Sequence, residues 1–211
     1  MNEDDDAVRG ELEDVYRRLD QEGLIFLAAG NISVRTGEGM LISPAGASAR
    51  TITPASFVHA RFDGSYDGDR RPSSEWSMHA DIYRAYPEAQ AIVHTHSDHC
   101  VALAATNEAL PPFHYMVAAF GGNDVKCVPY VTYASAELGR AAVPALAGRS
   151  ACLLGNHGMI CHAPTLEKAF SAALRLEILC RQYICARQAG TVRLLSDEQM
   201  AIAVARYKSY G

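Results

Sequence analysis

Residues 91–96 read Ala-Ile-Val-His-Thr-His, an apolar run that passes into an alternating, polar end. That pattern suits a buried strand reaching an exposed edge, and side chains on a strand alternate faces, so His94 and His96 project together. Two imidazoles one pleat apart can each bring a nitrogen to about 2.0–2.1 Å from a single cation. The competing reading is two unrelated polar residues at a strand end, because His-x-His is a short signal. Beyond it, residues 98–106 form a short helix pattern, stopped by Pro111-Pro112.

A third ligand has to come from elsewhere. Residues 151–154 (Ala-Cys-Leu-Leu) and 159–162 (Met-Ile-Cys-His) read as paired strands around Gly155-Asn156-His157-Gly158. Glycine on each side of the turn lets the backbone bend sharply and approach closely, which makes His157 the best candidate. Three protein ligands leave a fourth position for water or substrate, the arrangement of a catalytic site. His59, His79, His99, His114 and His162 have no matched partner and read as surface or supporting residues.

Outward from these strands, Leu12, Val15, Tyr16 and Leu19 recur at helical spacing after a frayed acidic start at residues 2–6, with Gly23 as a stop. Residues 32–34 and 40–42 form a hairpin around Thr36-Gly-Glu-Gly39, Thr53-Pro54 opens a short helix, and residues 58–62 and 125–129 read as further strands. Ser73 and Ser74 cap a helix that runs to Tyr86, ahead of Pro87. Residues 135–148 are helical with a bend at Pro144, Thr165 caps the longest helix, to Gln188, and Ser196-Asp-Glu-Gln199 is a capping box. Strands and helices interleave without linker or repeat, so the expectation is one α/β domain over 1–211 with a mixed sheet.

The chain has 211 residues and a formal net charge of -5, with 49% hydrophobic and 20% charged residues. This balance argues against a nucleic-acid binder, which would carry a basic stripe. No run approaches the roughly 18 apolar residues of a membrane span, and the Met-Asn-Glu-Asp-Asp-Asp start is the reverse of a basic leader. A cytoplasmic location is expected. The six cysteines (100, 127, 152, 161, 180 and 185) form no Cys-x-x-Cys pair and read as small buried apolar residues.

Glu75 follows two serines at a helix start, where a carboxylate is favoured by about 0.3–1 kcal/mol through the macrodipole alone. The sharper reading makes it a base beside a metal, with Ser73 and Ser74 donating to a phosphate. Gly30-Asn31-Ile32-Ser33 and Ser43-Pro44-Ala45-Gly46 are small polar turns whose backbone N–H groups could approach an anion. Either turn alone is weak support.

Taken in order, the segments GNISVR (30–35), MLISPAG (40–46), PSSEW (72–76), VHTHSDHC (93–100), FHYMVAAFGGN (113–123), CVPYVTYASAEL (127–138), LLGNHGMI (153–160), LEKAF (166–170), LSDEQ (195–199) and YKSYG (207–211) resemble the class II aldolase/adducin-type family. The resemblance covers nearly the whole chain. It implies a three-layer α/β/α fold with a central mixed, largely antiparallel sheet, and a fourfold tetramer with active sites between subunits. It also implies one divalent ion per subunit, zinc first and manganese or cobalt next, on His94, His96 and His157. Glu75 becomes the acid/base, able to approach the metal at rest. Gly30, Asn31, Gly46, Ser73 and Ser74 become phosphate-binding positions. Tyr115 reaches the site from the adjoining subunit, and Tyr210 comes from a mobile tail.

The implied reaction is cleavage of a ketose 1-phosphate, such as L-fuculose 1-phosphate or a 5-deoxy- or 5-methylthio-ribulose 1-phosphate, to dihydroxyacetone phosphate and an aldehyde. A divalent ion would stabilise the enediolate, and Lys126, Lys168 and Lys208 lie outside any matched catalytic motif. Two departures stand out. Ala28 and Ala45 replace threonines whose hydroxyls would hold phosphate, a loss of about 0.5–1.5 kcal/mol each, and Tyr133 stands where the family's aldolase has phenylalanine. These departures keep a metal-dependent decarboxylase open as an alternative. An epimerase would need a second acid/base pair, and a non-catalytic interaction module would have no need of the ligand set.

Overall fold

The structure, a computed structural model, describes residues 3–209, with side chains from 5 to 207. Its elements run α1 (Glu3–Gln21), β1 (Asn31–Thr36), β2 (Gly39–Ile42), β3 (Val58–Arg61), α2 (Trp76–Ala85), β4 (Ala91–Thr95), α3 (Asp98–Ala104), β5 (Cys127–Val128), α4 (Ala136–Ala145), β6 (Ala151–Leu154), β7 (Gly158–Ala163), α5 (Leu166–Ala189) and α6 (Asp197–Ser209). Short 3-10 turns cover Pro54–Ser56 and Tyr115–Phe120.

The seven strands make one sheet in the order β3-β2-β1-β4-β7-β6-β5. Every pairing is antiparallel except β5 with β6. Alternation sorts the side chains onto two faces. Ile32, Leu41, Val93, Leu153, Met159 and Cys161 pack with α1, α3 and α5, while Met40, Ile42, Val58, Ile92, Cys152, Leu154 and Ile160 pack with α2 and α4. The result is the expected three-layer α/β/α arrangement around a mixed, largely antiparallel sheet.

Several boundaries differ from the sequence expectations. The acidic residues 3–6 belong to α1 and are not a frayed start, since carboxylates suit the positive end of a helix and Asp5 pairs with Arg9 at 2.9 Å. β4 stops at Thr95, one residue short of His96. The strand expected over 125–129 shrinks to Cys127–Val128, because Val125 bridges Leu110 instead and Pro129 has no N–H to donate. Ser73 and Ser74 do not cap α2, which begins at Trp76 with Glu75 in the capping position. α4 ends at Ala145, with Pro144 inside its last turn. Thr165 Oγ1 accepts from the Lys168 N–H at 3.2 Å, and Ser196 and Gln199 exchange both bonds of the capping box.

The six cysteines form no disulfide, but they are not uniformly buried: Cys127 is half-buried, and Cys185 on α5 is exposed. No helix among the described residues is long and apolar enough to cross a membrane.

Candidate metal centre and its cleft

β4 carries Ile92 into the α2 side of the sheet, so His94, two residues on, faces α2 as well. Asn31 lies directly opposite His94 in the β1–β4 ladder, and Glu75 sits at the start of α2. His96 has left the strand, yet its Nε2 lies 2.9 Å from His94 Nε2. His157 enters from the turn between β6 and β7. A Cβ on Gly158 would stand 2.3 Å from the Thr95 carbonyl oxygen and 3.2 Å from His96 Cα, so only glycine lets the turn come this close to the end of β4. The left-handed residue of that turn is Asn156, at φ 52°. The flanking glycines therefore serve close approach rather than the bend itself.

The three imidazoles are mutually edge-on, with ring centroids 4.7 to 4.9 Å apart. One ligand atom from each of Glu75, His94, His96 and His157 falls within 4.8 Å of the other three. Hydrogen bonding alone cannot satisfy this cluster. His94 gives its Nδ1 proton to the Met159 carbonyl at 2.8 Å, so its Nε2 lone pair faces His96 Nε2 and Glu75 Oε2, the latter at 3.0 Å. Both ring nitrogens of His157 and Glu75 Oε1 are buried without a hydrogen-bond partner. The 3.1 Å between His157 Nε2 and Glu75 Oε1 is short enough but wrongly directed. Each such orphan costs roughly 1–3 kcal/mol. A shared cation would answer His157 Nε2 and Glu75 Oε1, though not His157 Nδ1 on the far side of the ring, and three imidazole nitrogens with a carboxylate oxygen form a zinc-type donor set. The residues therefore fit a divalent metal.

The electrostatics agree. Burial pushes the Glu75 carboxyl up, but His94 and His157 outweigh it and hold the group well below the usual carboxylate range. At His94, Glu75 overcomes burial and draws positive charge to the ring, a demand that a proton or a metal ion meets equally. His96 is pushed down to about 3 by burial, His94 and His157, which leaves it in the neutral, ligating form.

Behind the cluster, Asn31 Nδ2 donates to Glu75 Oε2 at 2.9 Å, and Asn31 Oδ1 meets His79 Nε2 at 2.6 Å. His79 is fully buried and lowered to about 3 by burial and His94. Of the two roles open to it in the sequence, it takes the supporting one. Its position one turn after Glu75 was the available signal. The remaining histidines lie elsewhere: His99 against Glu177 at 2.6 Å, His59 near Asp67, His114 accepting from the Met116 N–H, and His162 against the Arg149 carbonyl.

A cleft of about 420 Å³ opens over the cluster. Gly30, Asn31, Gly46, Ser73 and Ser74, the five positions expected at phosphate, all line it together with Glu75, His96 and His157. Local bonding explains the convergence. The Ser73 N–H donates to the Ser43 carbonyl and the Ala45 N–H to the Arg71 carbonyl, both at 3.0 Å, so the two loops are fastened side by side. Asn31 has a restriction the sequence did not reveal: its carboxamide is engaged by Glu75 and His79, leaving one amide hydrogen free. Ala28 and Ala45 line the cleft without hydroxyls, and Tyr133 is joined there by Tyr130, which falls within the resembling segment 127–138 but has no spacing signal that would assign it a role. Tyr115 is absent from this lining. It is 52% exposed and borders a different hollow with Gln199, Ile202 and Tyr207. Tyr210 lies outside the described residues.

The family described as "Class II Aldolase and Adducin N-terminal domain" matches residues 10–184. The 5-methylthioribulose-1-phosphate/5-deoxyribulose-1-phosphate aldolase of Rhodospirillum rubrum is 41% identical, over 97% of this chain and 93% of its own. The L-fuculose phosphate aldolase of Escherichia coli is 38% identical, over 94% and 93%. A solved L-fuculose 1-phosphate aldolase superposes with a TM-score of 0.92 at 34% identity, covering 99% of this chain and 98% of that one.

Proposed function

The chain belongs to the class II aldolase and adducin N-terminal domain family, is an aldolase-type lyase, and we propose that residues 1–211 act as one domain that cleaves a ketose 1-phosphate to dihydroxyacetone phosphate and an aldehyde. The observation that carries the reading is the quartet Glu75, His94, His96 and His157 at the cleft whose rim holds Gly30, Asn31, Gly46, Ser73 and Ser74. A divalent ion on the three histidines, zinc by donor chemistry, supplies Lewis-acid stabilisation of the charge that develops as the carbon–carbon bond breaks.

The chain's own groups do the rest. Backbone N–H groups near Gly30 and Gly46 and the hydroxyls of Ser73 and Ser74 hold the phosphate and fix the sugar's direction. Glu75, an ionised carboxylate in the free enzyme, removes the proton at the carbon shared with dihydroxyacetone phosphate in the condensation direction, and in cleavage gives that carbon a proton only after taking one up itself. Tyr115, presented by a neighbouring subunit of a homotetramer, handles the proton of the departing aldehyde oxygen, and Tyr210 keeps the catalytic role that the family resemblance gives it. A cytoplasmic setting suits six unpaired thiols.

L-fuculose 1-phosphate and the 5-deoxy- or 5-methylthio-ribulose 1-phosphates are equally supported, because a relative of each kind matches over nearly the whole chain. The test is to incubate the metal-loaded protein with each ketose 1-phosphate and measure dihydroxyacetone phosphate. Product from one identifies the substrate, and silence with all of them ends the aldolase reading.

A further inference from the structure

A buried chain of hydrogen bonds runs back from Glu75 through Asn31 to His79, Ser33 and Tyr83, which take no part in the chemistry above. Glu75 Oε2 accepts from Asn31 Nδ2, and Asn31 Oδ1 meets His79 Nε2. His79 Nδ1 meets Ser33 Oγ at 2.7 Å, and Ser33 Oγ meets the Tyr83 hydroxyl at 2.8 Å. His79 and Ser33 are wholly buried, and Tyr83 nearly so.

The direction of every bond follows from the first. A carboxylate only accepts, so Asn31 must turn its NH2 toward Glu75. Its oxygen must then accept, and among the described residues the donor facing it is His79 Nε2–H. His79 Nδ1 is left with a lone pair, so the Ser33 hydroxyl donates to it, and Tyr83 donates to Ser33 at Oγ or, at 3.1 Å, the carbonyl oxygen. A reversed amide would set an oxygen against the Glu75 carboxylate, and nothing within Asn31 itself prevents that flip.

We propose that His79 is a positioning residue: held in its Nε2–H tautomer by Ser33 and Tyr83, it locks the Asn31 amide and thereby fixes the Glu75 carboxylate for proton transfer. The arrangement parallels the way partners behind a metal ligand set its orientation. It differs in that the oriented group is an acid/base. The rate consequence rests on the aldolase reading, whereas the tautomer does not.

Two measurements test it on the full-length protein. In the first, the ring nitrogens of His79 are observed by 15N NMR in metal-free and zinc-loaded samples, with His79→Gln used for assignment. Protonation at Nε2 with a bare Nδ1 is expected, and an Nδ1–H tautomer overturns the proposal whatever the protein catalyses. In the second, His79→Leu and His79→Gln are compared on whichever ketose 1-phosphate the unaltered enzyme cleaves. His79→Leu should lower kcat by about 10–100-fold with KM and zinc content nearly unchanged. His79→Gln, whose amide can donate from the same place, should recover most of that loss. An unchanged kcat in His79→Leu, or equal losses in both variants accompanied by loss of zinc, overturns the positioning role. Should the unaltered enzyme cleave no ketose phosphate, the aldolase reading fails by itself and the NMR result still decides the relay.

Discussion

Each oxygen of the Glu75 carboxylate faces a different imidazole, Oε2 toward His94 at 3.0 Å and Oε1 toward His157 at 3.1 Å, so one side chain completes the ligand cluster and, on the proposed reading, also moves the proton. Glu75→Gln keeps the shape and removes the base. It should retain metal by direct analysis while turnover falls about 10²–10⁴-fold, the usual share of an acid/base; full activity would remove Glu75 from the mechanism. His157→Ala should instead lose the metal itself, by more than the roughly 10–100-fold that an outer partner costs. His79 sets a pH limit. Its folded value of about 3 lies below an unfolded value of about 6.5, so the unfolded chain takes up a proton that the folded one refuses. Stability from this group is complete above pH 6.5 and is lost as pH falls toward 3, with a limiting slope of about 1.4 kcal/mol per pH unit. Thermal midpoints between pH 7 and 5 should drop in the parent and drop less steeply in His79→Gln, where His96, also held at about 3, still contributes. At this scale the sequence was most legible where spacing carries geometry, as in His94 and His96. It was least legible for Tyr130 and for the engaged amide of Asn31, whose roles depend on long-range neighbours.

At the scale of elements, the site depends on how tightly the β6–β7 turn rides over the end of β4. Gly158→Ala would drive a methyl into the Thr95 carbonyl, and the turn must lift and carry His157 away from His96. Expected are about 1–3 kcal/mol of destabilisation in denaturant titration and weaker zinc binding than the parent. Thr165→Ala, by contrast, should cost about 1 kcal/mol and leave zinc binding alone, since it removes only the cap of α5. The strands β4, β6 and β7 could be read in advance because their apolar pattern reports burial directly. β5 could not be bounded, being two residues long and bordered by proline, and the 3-10 turn at Tyr115–Phe120 has no periodic signature. The start of α2 falls after both serines for a physical reason: the Ser73 backbone N–H is held by the Ser43 carbonyl in the neighbouring loop, and Ser73 Oγ reaches only the Glu75 N–H, at 3.3 Å, ahead of the first helical turn.

For the whole molecule, Tyr115 and the outer face of α6 pose the main question. Tyr115 and Ile202 are exposed, at 52% and 61%, and the proposed tetramer would cover them and bring Tyr115 to a neighbour's cleft. Light scattering should give four times the 22.8 kDa chain mass, and Tyr115→Phe should keep that mass and the zinc while losing turnover. A monomer that is fully active would rule out the shared site. The two faces of the sheet also divide the molecule's tolerance for change. On β1 and β4 the odd and even positions answer to different demands: Ile32 and Val93 hold one core, while Asn31, Ser33 and His94 serve the site. Ala28, Ala45, Tyr130 and Tyr133 sit on loops that belong to neither set. Diversification can therefore proceed at the rim, changing the anion grip at Ala28 and Ala45 or the aromatic wall at Tyr130 and Tyr133, without renegotiating either the packing or the Glu75–histidine quartet; a library randomised at those four positions should yield mostly folded, zinc-binding proteins with divergent substrate preferences.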